Sequence, residues 1–211
     1  MKQVLYGFGV AALLVLIGWQ WQKNSSTKIE NVTVTGPKPA EKVAYVTFDD
    51  GPSEITPGIL DTLKKYDAKA TFFLIGEEIT EEREEIVKRE IEEGHSVGVH
   101  TYCHKKEEMY CNKEYFWNDF EKCKTRIEEV IGKPVSLHRF PWGSNNGYVC
   151  PLVDDLMEEL QKKKITSFDW NVSGEDSVAV GVPMASIYQN VKKDLDKYDN
   201  PIILLHDSNT M

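Results

Sequence analysis

The stretch VAYVTFDDGPSEITPGILDTLKKYDAKATFFLIG, residues 43–76, contains a complete strand–helix–strand unit. Residues 43–48 are rich in β-branched and aromatic side chains and run into a DDGP turn at residues 49–52. Thr56 suits the N-cap of a helix, and residues 70–75 form a second β-rich run. A strand followed by a helix and another strand predicts two parallel strands joined by a crossover helix.

The same order of strand and helix recurs along the rest of the chain. β-rich runs alternate with amphipathic runs that have capping signals, such as Asn112 before one apolar face and Gly132 after it. We expect strands at residues 43–48, 70–75, 96–99, 135–139, 165–170 and 202–206, and helices near 56–66, 80–94, 112–132, 152–162 and 184–197. Repeated β-then-α units predict an α/β fold with a parallel sheet in a barrel-like (β/α) arrangement.

Composition and charge describe an acidic globular domain. Of the 211 residues, 41% are hydrophobic and 28% are charged, which is unlike the balance of a disordered segment. The formal net charge is −9, and because residues 1–40 hold four lysines and one glutamate (net +3), residues 41–211 carry −12. Binding to nucleic acid usually requires a basic surface, so we do not expect this acidic domain to bind nucleic acid. We expect one domain over residues 41–211.

The first 22 residues predict a membrane-targeting segment. Residues 3–22 contain no charged side chain, and about 20 helical residues cover roughly 30 Å, the thickness of a bilayer core. Lys2 precedes this run, which favours a cytoplasmic N-terminus. No small-residue cleavage pattern follows the run, so an uncleaved transmembrane anchor is favoured over a signal peptide whose removal would release a secreted protein. Residues 23–40 then form a polar linker, and in either case the domain lies outside the cytoplasm.

Ionisable side chains concentrate at the ends of the predicted strands. In parallel barrels, the carboxyl ends of the strands hold the active site. The side chains at these positions are Asp49, Asp50, His100, His104, Arg139, Asp169 or Asp176, and His206. So many ionisable groups at one edge of the sheet predict a catalytic site.

The sequence HTYCH, residues 100–104, places two imidazoles four residues apart. A tight segment with this spacing can direct both rings at one point, as a divalent metal requires. Two histidines and one carboxylate form a facial set of ligands that leaves positions open for water. Asp49 and Asp50 are adjacent, so their side chains diverge in extended backbone. We therefore expect one of the two to bind the metal and the other to face the bound water as a base.

Five sequence motifs occur in the same order as in a known family. They are TFDDGP (residues 47–52), HTYCH (100–104), RFPWG (139–143), FDWNVSGED (168–176) and ILLHDS (203–208), supported by ATFFLIG (70–76) and GHSVGVH (94–100). Together they resemble the polysaccharide deacetylase family, the NodB-homology group that is carbohydrate esterase family 4. The resemblance extends over residues 43–208.

This resemblance implies a distorted (β/α) barrel of the NodB-homology type and a metal-dependent hydrolase that removes N-acetyl groups from amino sugars. Matched motif to motif, Asp49 is the base, while Asp50, His100 and His104 bind the metal. In the implied mechanism, the base takes a proton from the metal-bound water, and that water attacks the acetamide carbonyl. His206 then protonates the leaving amine.

Arg139 is expected, by the same resemblance, to orient Asp49 and keep it ionised. The acidic partner of Arg139 is less well defined, because the fourth motif departs from the DxxDW pattern of the family. The second Asp of that pattern best matches Asp176, and Asp169, just before Trp170, is the alternative. We expect the partner to be Asp176.

The RFPWG loop is expected to form part of the substrate groove. A backbone N–H at Trp142, beside Pro141, matches the family's donor to the oxyanion. The side chains of Trp142 and Trp170 either stack on the faces of sugar rings or pack in the core.

Four cysteines, at positions 103, 111, 123 and 150, lie in an oxidising compartment if the domain is outside the cytoplasm. Four cysteines allow three complete pairings, and the sequence does not choose among them. Our first expectation is a bridge between Cys103 and Cys111, which would hold the segment that carries His104. Cys123 falls on an apolar helix face, where a buried free thiol is equally compatible with the pattern.

These features predict a membrane-anchored, extracytoplasmic peptidoglycan N-acetylglucosamine deacetylase. Its cofactor is expected to be a divalent metal, with zinc preferred over cobalt, nickel or manganese. The alternatives are a chitooligosaccharide deacetylase, an O-acetyl xylan esterase and an inactive polysaccharide-binding module, although binding alone needs neither the base Asp49 nor the acid His206. The chain stops three residues after ILLHDS, where family members normally continue, so a C-terminally truncated domain is one interpretation.

Overall fold

The computed structural model describes residues 42–208. Its strands are β1 (Tyr45–Gly51), β2 (Ala70–Ile75), β3 (Ser96–Thr101), β4 (Leu137–His138), β5 (Thr166–Ser167), β6 (Val172–Ser173) and β7 (Ile202–His206). Its α-helices are α1 (Thr56–Lys65), α2 (Glu84–Glu92), α3 (Lys106–Met109), α4 (Lys113–Ile131), α5 (Val153–Lys162) and α6 (Met184–Leu195), with short 3-10 helices at Gly76–Glu78 and Glu81–Arg83. Strands and helices alternate through most of this chain, as the sequence predicted.

All seven strands belong to one sheet, in the order β5-β4-β3-β2-β1-β7-β6. Each neighbouring pair is parallel. Within residues 42–208, the end strands β5 and β6 do not pair with each other, so the sheet is an open half-barrel. The predicted parallel α/β class is confirmed, and the barrel-like arrangement is refined to a sheet that curves without closing.

The strand boundaries differ from the prediction both on inner strands and at the two ends of the sheet. β1 and β3 extend to Gly51 and Thr101, so Asp49, Asp50 and His100 lie within strands. β4 and β5 have two residues each, and β6, also of two residues, was not predicted. A two-residue strand is only one period of the strand repeat, so it leaves no alternation that a sequence pattern could reveal.

The core lies between the sheet and the helices that cover it. On β1 and β2, Phe48 and Phe72 are fully buried, and their ring centroids are 5.2 Å apart. α4 is capped by the side chain of Asn112 and ends at Gly132, whose φ of 69° is a left-handed conformation that favours glycine. The sequence predicts an apolar face of Phe116, Phe120, Cys123, Ile127 and Val130 on this helix; the first four are buried, and Val130 is partly buried. This packing fixes α4 against the sheet.

All four cysteines are free thiols, so the predicted bridge between Cys103 and Cys111 is wrong. The Cys103 thiol instead contacts the Asp119 carboxylate, with Sγ 3.2 Å from Oδ1. Cys123 is fully buried, and its thiol donates to the backbone carbonyl of Leu74 at 3.4 Å. The alternative of a buried free thiol at position 123 is therefore confirmed.

The predicted transmembrane segment, residues 1–22, and the predicted linker, residues 23–40, lie outside the described residues. Both therefore stay predictions. Within residues 42–208, no helix is both long enough and apolar enough to cross a membrane.

Candidate active site

Three side chains from β1, from β3 and from the loop after β3 converge on one point. Oδ1 of Asp50 lies 3.5 Å from Nε2 of His100 and 3.5 Å from Nε2 of His104. One possible ligand atom from each of the three residues lies within 4.8 Å of the other two. Asp50 and His104 have φ values of 74° and 51°, which few residues other than glycine adopt. The fold thus brings together the three predicted metal ligands and uses uncommon backbone conformations to do so.

The donor atoms of these three residues fit a divalent cation. Oδ1 of Asp50 is buried and has no hydrogen-bond partner among the described residues. Nδ1 of His100 lies 2.9 Å from the backbone carbonyl of Arg139, and because a carbonyl only accepts, Nδ1 carries the hydrogen and Nε2 keeps its lone pair. Burial and the neighbouring His104 lower the pKa of His100 well below its ordinary value, so its imidazole is neutral. A neutral imidazole and an unpaired carboxylate oxygen are the forms that a metal requires.

Asp49 lies beside this cluster and is held by an arginine. The side chain of Asp49 is buried, and its Oδ1 accepts a hydrogen bond of 2.8 Å from Nη1 of Arg139. The other carboxylate oxygen, Oδ2, lies 3.9 Å from Nε2 of His100. Burial disfavours the charged carboxylate more than Arg139 favours it, which raises the pKa of Asp49 to about 6. Asp49 therefore combines a fixed oxygen with a second oxygen that is directed at the cluster.

The guanidinium of Arg139 is fully buried in a set of oxygen acceptors. Besides bonding Asp49, Nη1 donates to Oγ1 of Thr47 at 2.6 Å, and Nε donates to the Phe168 carbonyl at 3.1 Å. Neither the Asp176 nor the Asp169 carboxylate pairs with Arg139, so the predicted acidic partner is wrong, and so is its alternative. Asp169 contacts Arg139 through its backbone carbonyl, at 3.5 Å. Its carboxylate accepts a hydrogen bond from the Ser144 amide at 2.9 Å instead.

Asp176 instead holds His206, the predicted general acid. Oδ1 of Asp176 lies 2.8 Å from Nδ1 of His206, and Oδ2 accepts from the His206 backbone amide at 2.7 Å. Burial acts to lower the pKa of His206, but the hydrogen bond and the negative charge of Asp176 outweigh it, so the pKa is raised. Asp49 and His206 are register partners on the adjacent strands β1 and β7. The fold thus places the predicted base and the predicted acid side by side.

The RFPWG loop forms one wall of the site. Trp142 has a φ of 63° and a side chain that is 43% exposed, and its ring centroid lies 4.7 Å from that of His104. The carbonyl of Pro141 accepts from the Tyr110 hydroxyl at 3.3 Å, which ties the loop to the end of α3. Trp170 is half-buried. Its ring packs closely against Gly143 of the same loop, where an added Cβ would lie only 3.1 Å from the ring. Trp142 is therefore available to a ligand, whereas Trp170 packs against the loop at Gly143.

Comparison with known proteins identifies the family. The profile of the family described as polysaccharide deacetylase matches residues 36–159. The chain belongs to this family. A Bacillus cereus protein named peptidoglycan-N-acetylglucosamine deacetylase is 40% identical over 170 residues, which are 79% of this chain and 60% of the relative. The chain therefore spans about 60% of the length of that relative.

Solved structures of polysaccharide deacetylases have the same fold. The catalytic domain of peptidoglycan N-acetylglucosamine deacetylase from Eubacterium rectale superposes with a TM-score of 0.75 at 29% identity, covering 88% of this chain and 84% of that one. The polysaccharide deacetylase Bc1974 from Bacillus cereus superposes with a TM-score of 0.68 at 36% identity, covering 79% of this chain and 80% of that one. The family resemblance that the sequence motifs carry is thus confirmed.

Sequence reasoning assigned no role to one buried carboxylate of this deacetylase fold, Asp207. Asp207 is fully buried next to His206, and its oxygens accept from Oγ of Ser53 and Oγ1 of Thr56, both at 2.6 Å. These bonds hold the turn that follows Asp50, and a Cβ on Gly51 would lie only 2.4 Å from Oδ2 of Asp207. A signal was present, because Asp207 lies within the ILLHDS motif.

Sequence reasoning also missed Asp119, on α4. Its carboxylate accepts hydrogen bonds from the loop that carries His104. Asp119 belongs to none of the motifs and is a single carboxylate on an amphipathic helix, so no sequence signal distinguished it from a solvated side chain.

Proposed function

We propose that this chain is a metal-dependent deacetylase that removes N-acetyl groups from amino sugars of bacterial cell-wall polysaccharide. Its principal substrate would be the N-acetylglucosamine of peptidoglycan. The observation that carries this proposal is the convergence of Asp50, His100 and His104 beside a carboxylate held by arginine, which is itself the strand neighbour of an imidazole held by carboxylate. Such an arrangement places a Lewis acid, a base and an acid around one reacting carbonyl.

Asp50, His100 and His104 would hold the metal, and one oxygen and two nitrogen donors suit zinc. When bound, a divalent cation lowers the pKa of a water molecule and polarises the carbonyl of the acetyl group. The role of this chain is to aim those three donors at one point and to keep His100 neutral. The neutral state of His100 and the unpaired oxygen of Asp50 support that role.

Asp49 would act as the base through Oδ2. Arg139 occupies Oδ1, so Oδ2 is the oxygen left to take the proton from the attacking water. A pKa of about 6 leaves Asp49 ionised at neutral pH but basic enough to accept a proton. The buried guanidinium of Arg139 also fixes the direction of the carboxylate, which keeps Oδ2 near the cluster.

His206 would act as the acid that protonates the leaving amine. Asp176 bonds Nδ1, so Nε2, which lies 3.4 Å from Oγ of Ser177, is the nitrogen that would donate the proton. The raised pKa of His206 keeps a fraction of the ring protonated at neutral pH, whereas Asp49 is ionised there. Because the pKa of Asp49 lies below neutrality and that of His206 is raised, a deprotonated base and a protonated acid can coexist near neutral pH.

Exposed aromatic rings beside the cluster support a polysaccharide substrate. Trp142 is 43% exposed and Tyr148 is 50% exposed, and their ring centroids are 5.8 Å apart. Contiguous exposed aromatic surface next to a catalytic cluster indicates a ligand-binding surface, and the flat apolar faces of sugars can stack on it. The name of the Bacillus cereus relative favours peptidoglycan over chitooligosaccharides or acetylated xylan.

We also propose that residues 1–22 anchor the protein in the cell membrane with the domain outside the cytoplasm. The uncharged stretch of residues 3–22 and the preceding Lys2 support this topology. An anchor of this kind would hold the domain close to the cell wall, where peptidoglycan lies.

Release of acetate tests the proposed function. The full chain, purified in detergent, would be incubated with peptidoglycan, with chitooligosaccharides and with acetylated xylan, each with and without a metal chelator. We expect acetate from peptidoglycan, its loss after chelation and its recovery when zinc is added back. Release of acetate from xylan alone would indicate an O-acetyl esterase. Release that is unchanged in the presence of the chelator would contradict the metal site. No release from a folded, zinc-loaded protein would support the inactive polysaccharide-binding module instead.

A further inference from the structure

The carboxylate of Asp119, on α4, receives four hydrogen bonds from the loop that links His100 to His104. Its Oδ2 accepts from Oγ1 of Thr101 and from the Tyr102 amide, both at 2.7 Å. Its Oδ1 accepts from the amide and the thiol of Cys103, both at 3.2 Å. Two amides, one hydroxyl and one thiol of consecutive residues thus point at one side chain of another element.

This loop needs such support because it holds His104 in an uncommon conformation. The φ of His104 is 51°, in the left-handed region that a residue with a Cβ enters only when its surroundings impose it. Oγ1 of Thr101 donates to Asp119 and accepts from the His104 amide at 3.3 Å, so a chain of hydrogen bonds leads from the carboxylate to the ligand residue. Hydrogen bonds to a charged acceptor are stronger than those between neutral groups.

Both ends of this connection are fixed. Asp119 lies on a helix whose face, including Phe116 and Phe120, is buried in the core. On the other side of the loop, the Tyr102 carbonyl accepts from the Glu77 amide at 3.0 Å. The segment is therefore held between α4 and the 3-10 helix that follows β2.

We propose that Asp119 is a positioning residue for the metal site. It holds residues 101–104 in the conformation that directs Nε2 of His104 toward Asp50, so that the site is formed before the metal binds. Asp119 does not touch the metal or the substrate, and it acts through the loop backbone. The proposal rests on the proposed function in one respect, namely that His104 is a metal ligand.

The substitution Asp119→Asn tests this role, because it keeps the size of the side chain while removing its charge and one acceptor. The dissociation constant for zinc would be measured by competition with a chromophoric chelator, using the full chain in detergent. Loss of a group that orients a metal ligand typically weakens metal binding about 10- to 100-fold, and we expect a loss in that range. Hydrogen exchange at the amides of Tyr102 and Cys103 would be measured in the metal-free protein, where we expect faster exchange.

Glu128→Gln is the matched control. Glu128 lies on the same helix and accepts from the backbone amide of Val135 at 2.8 Å, so it is also a helix carboxylate that holds a loop, but a different one. This variant should leave zinc affinity and the exchange of residues 101–104 unchanged. If Asp119→Asn fails to fold, Thr101→Val tests the connection through zinc affinity alone, since it removes the hydroxyl that joins Asp119 to His104 but leaves the amides of Tyr102 and Cys103 bonded to Asp119.

Each outcome decides the proposal. Zinc affinity within twofold of that of the unmodified protein, or unchanged exchange at Tyr102 and Cys103, would overturn it. If the unmodified protein binds no zinc, the proposed function fails, whereas the exchange measurement on metal-free protein still decides whether Asp119 holds the loop. Equal losses in Glu128→Gln and Asp119→Asn would show a general effect on the helix and would also overturn the positioning role.

Discussion

The long inner strands and the short outer strands of the half-barrel contribute different parts of the candidate site. β1, β3 and β7 have seven, six and five residues, and their ends carry the proposed base, two of the proposed metal ligands and the proposed acid. β4, β5 and β6 have two residues each, and the segments beside them carry Trp142, Trp170 and Asp176. Arg139, which follows β4, and Asp176, which follows β6, are exceptions, because both are buried and each bonds a proposed reacting group.

This difference follows from how the two regions are held. Backbone hydrogen bonds between strands place Asp49 opposite His206, and a shift of one residue would turn either side chain to the other face of the sheet. The side chains of the inner strands are enclosed, with Asp49 and His100 each only 3% exposed, whereas Trp142 is 43% exposed. Strand ends suit groups that need fixed geometry, and loops suit surfaces that adapt to a substrate. We therefore expect substitutions on the inner strands to affect turnover and substitutions in the outer loops to affect substrate binding.

The largest effect is expected for Asp49→Asn, on β1. Removal of a general base typically lowers turnover about 10²- to 10⁴-fold, and we expect a loss in that range. The amide oxygen of Asn can still accept from Arg139, so the melting temperature and the zinc content should stay close to those of the unmodified protein. Acetate release, differential scanning calorimetry and metal analysis would check the three quantities.

Asp169→Asn is the matched control for Asp49→Asn. The Asp169 carboxylate bonds Ser144 in the outer loops rather than any of the proposed reacting groups. Its turnover should change less than about threefold, in keeping with the small effects typical of exposed sites. Turnover in Asp49→Asn above a tenth of normal would refute the assignment of Asp49 as the base.

A smaller, pH-dependent effect is expected for Asp176→Asn, which tests whether an outer loop can control an inner group. The proposed acid His206 works only when protonated, and its raised pKa extends activity toward higher pH. Without the negative charge of Asp176, that pKa should fall, so turnover above neutral pH should drop, by less than the loss expected for Asp49→Asn but increasingly as the pH rises. The decrease of turnover at acidic pH reports the protonation of Asp49, and its midpoint should be at or below about pH 6 in both proteins. A bound cation would lower the pKa of Asp49, which places the midpoint below that value.

The measurement is turnover between pH 5 and 9 for both proteins. The ratio of normal to variant turnover should rise with pH. Two profiles of the same shape, separated by a constant factor, would mean that Asp176 affects the site without controlling the protonation of His206.

The smallest effect is expected for Trp142→Ala, in the exposed wall of the groove. An aromatic contact contributes about 0.5–1.5 kcal/mol, so KM should rise roughly 2- to 13-fold, while kcat should stay within about twofold. Zinc affinity should be unchanged, which would exclude a disturbance of the neighbouring His104 ring. Tyr66→Ala is the control, since Tyr66 is 42% exposed but follows α1, at the opposite edge of the sheet. An equal rise of KM in both variants, or a loss of kcat alone, would contradict a role in substrate binding.

Much of the candidate site could be predicted because its residues lie in short, distinctive motifs. HTYCH places both imidazoles in one segment, and the DDGP turn places two carboxylates at the end of a strand. The partner of Asp176 could not be predicted, because Asp176 follows the two-residue strand β6 in a loop where Glu175 has a φ of 53°. The directions of side chains in such a loop do not follow a period, so spacing in the sequence does not reveal what they face.

The sequence by itself determined the order of strands and helices, the family and the identity of the groups at the site. These features depend on local preferences and on motifs of a few neighbouring residues. Only the tertiary structure decided that the sheet stays open, that Asp176 holds His206 and that Asp119 accepts hydrogen bonds from residues 101–103. It also decided the pKa of about 6 at Asp49, which arises from burial and from Arg139, 90 residues away. Desolvation and charge pairing depend on distances between atoms that are remote along the chain, and only the folded chain defines those distances.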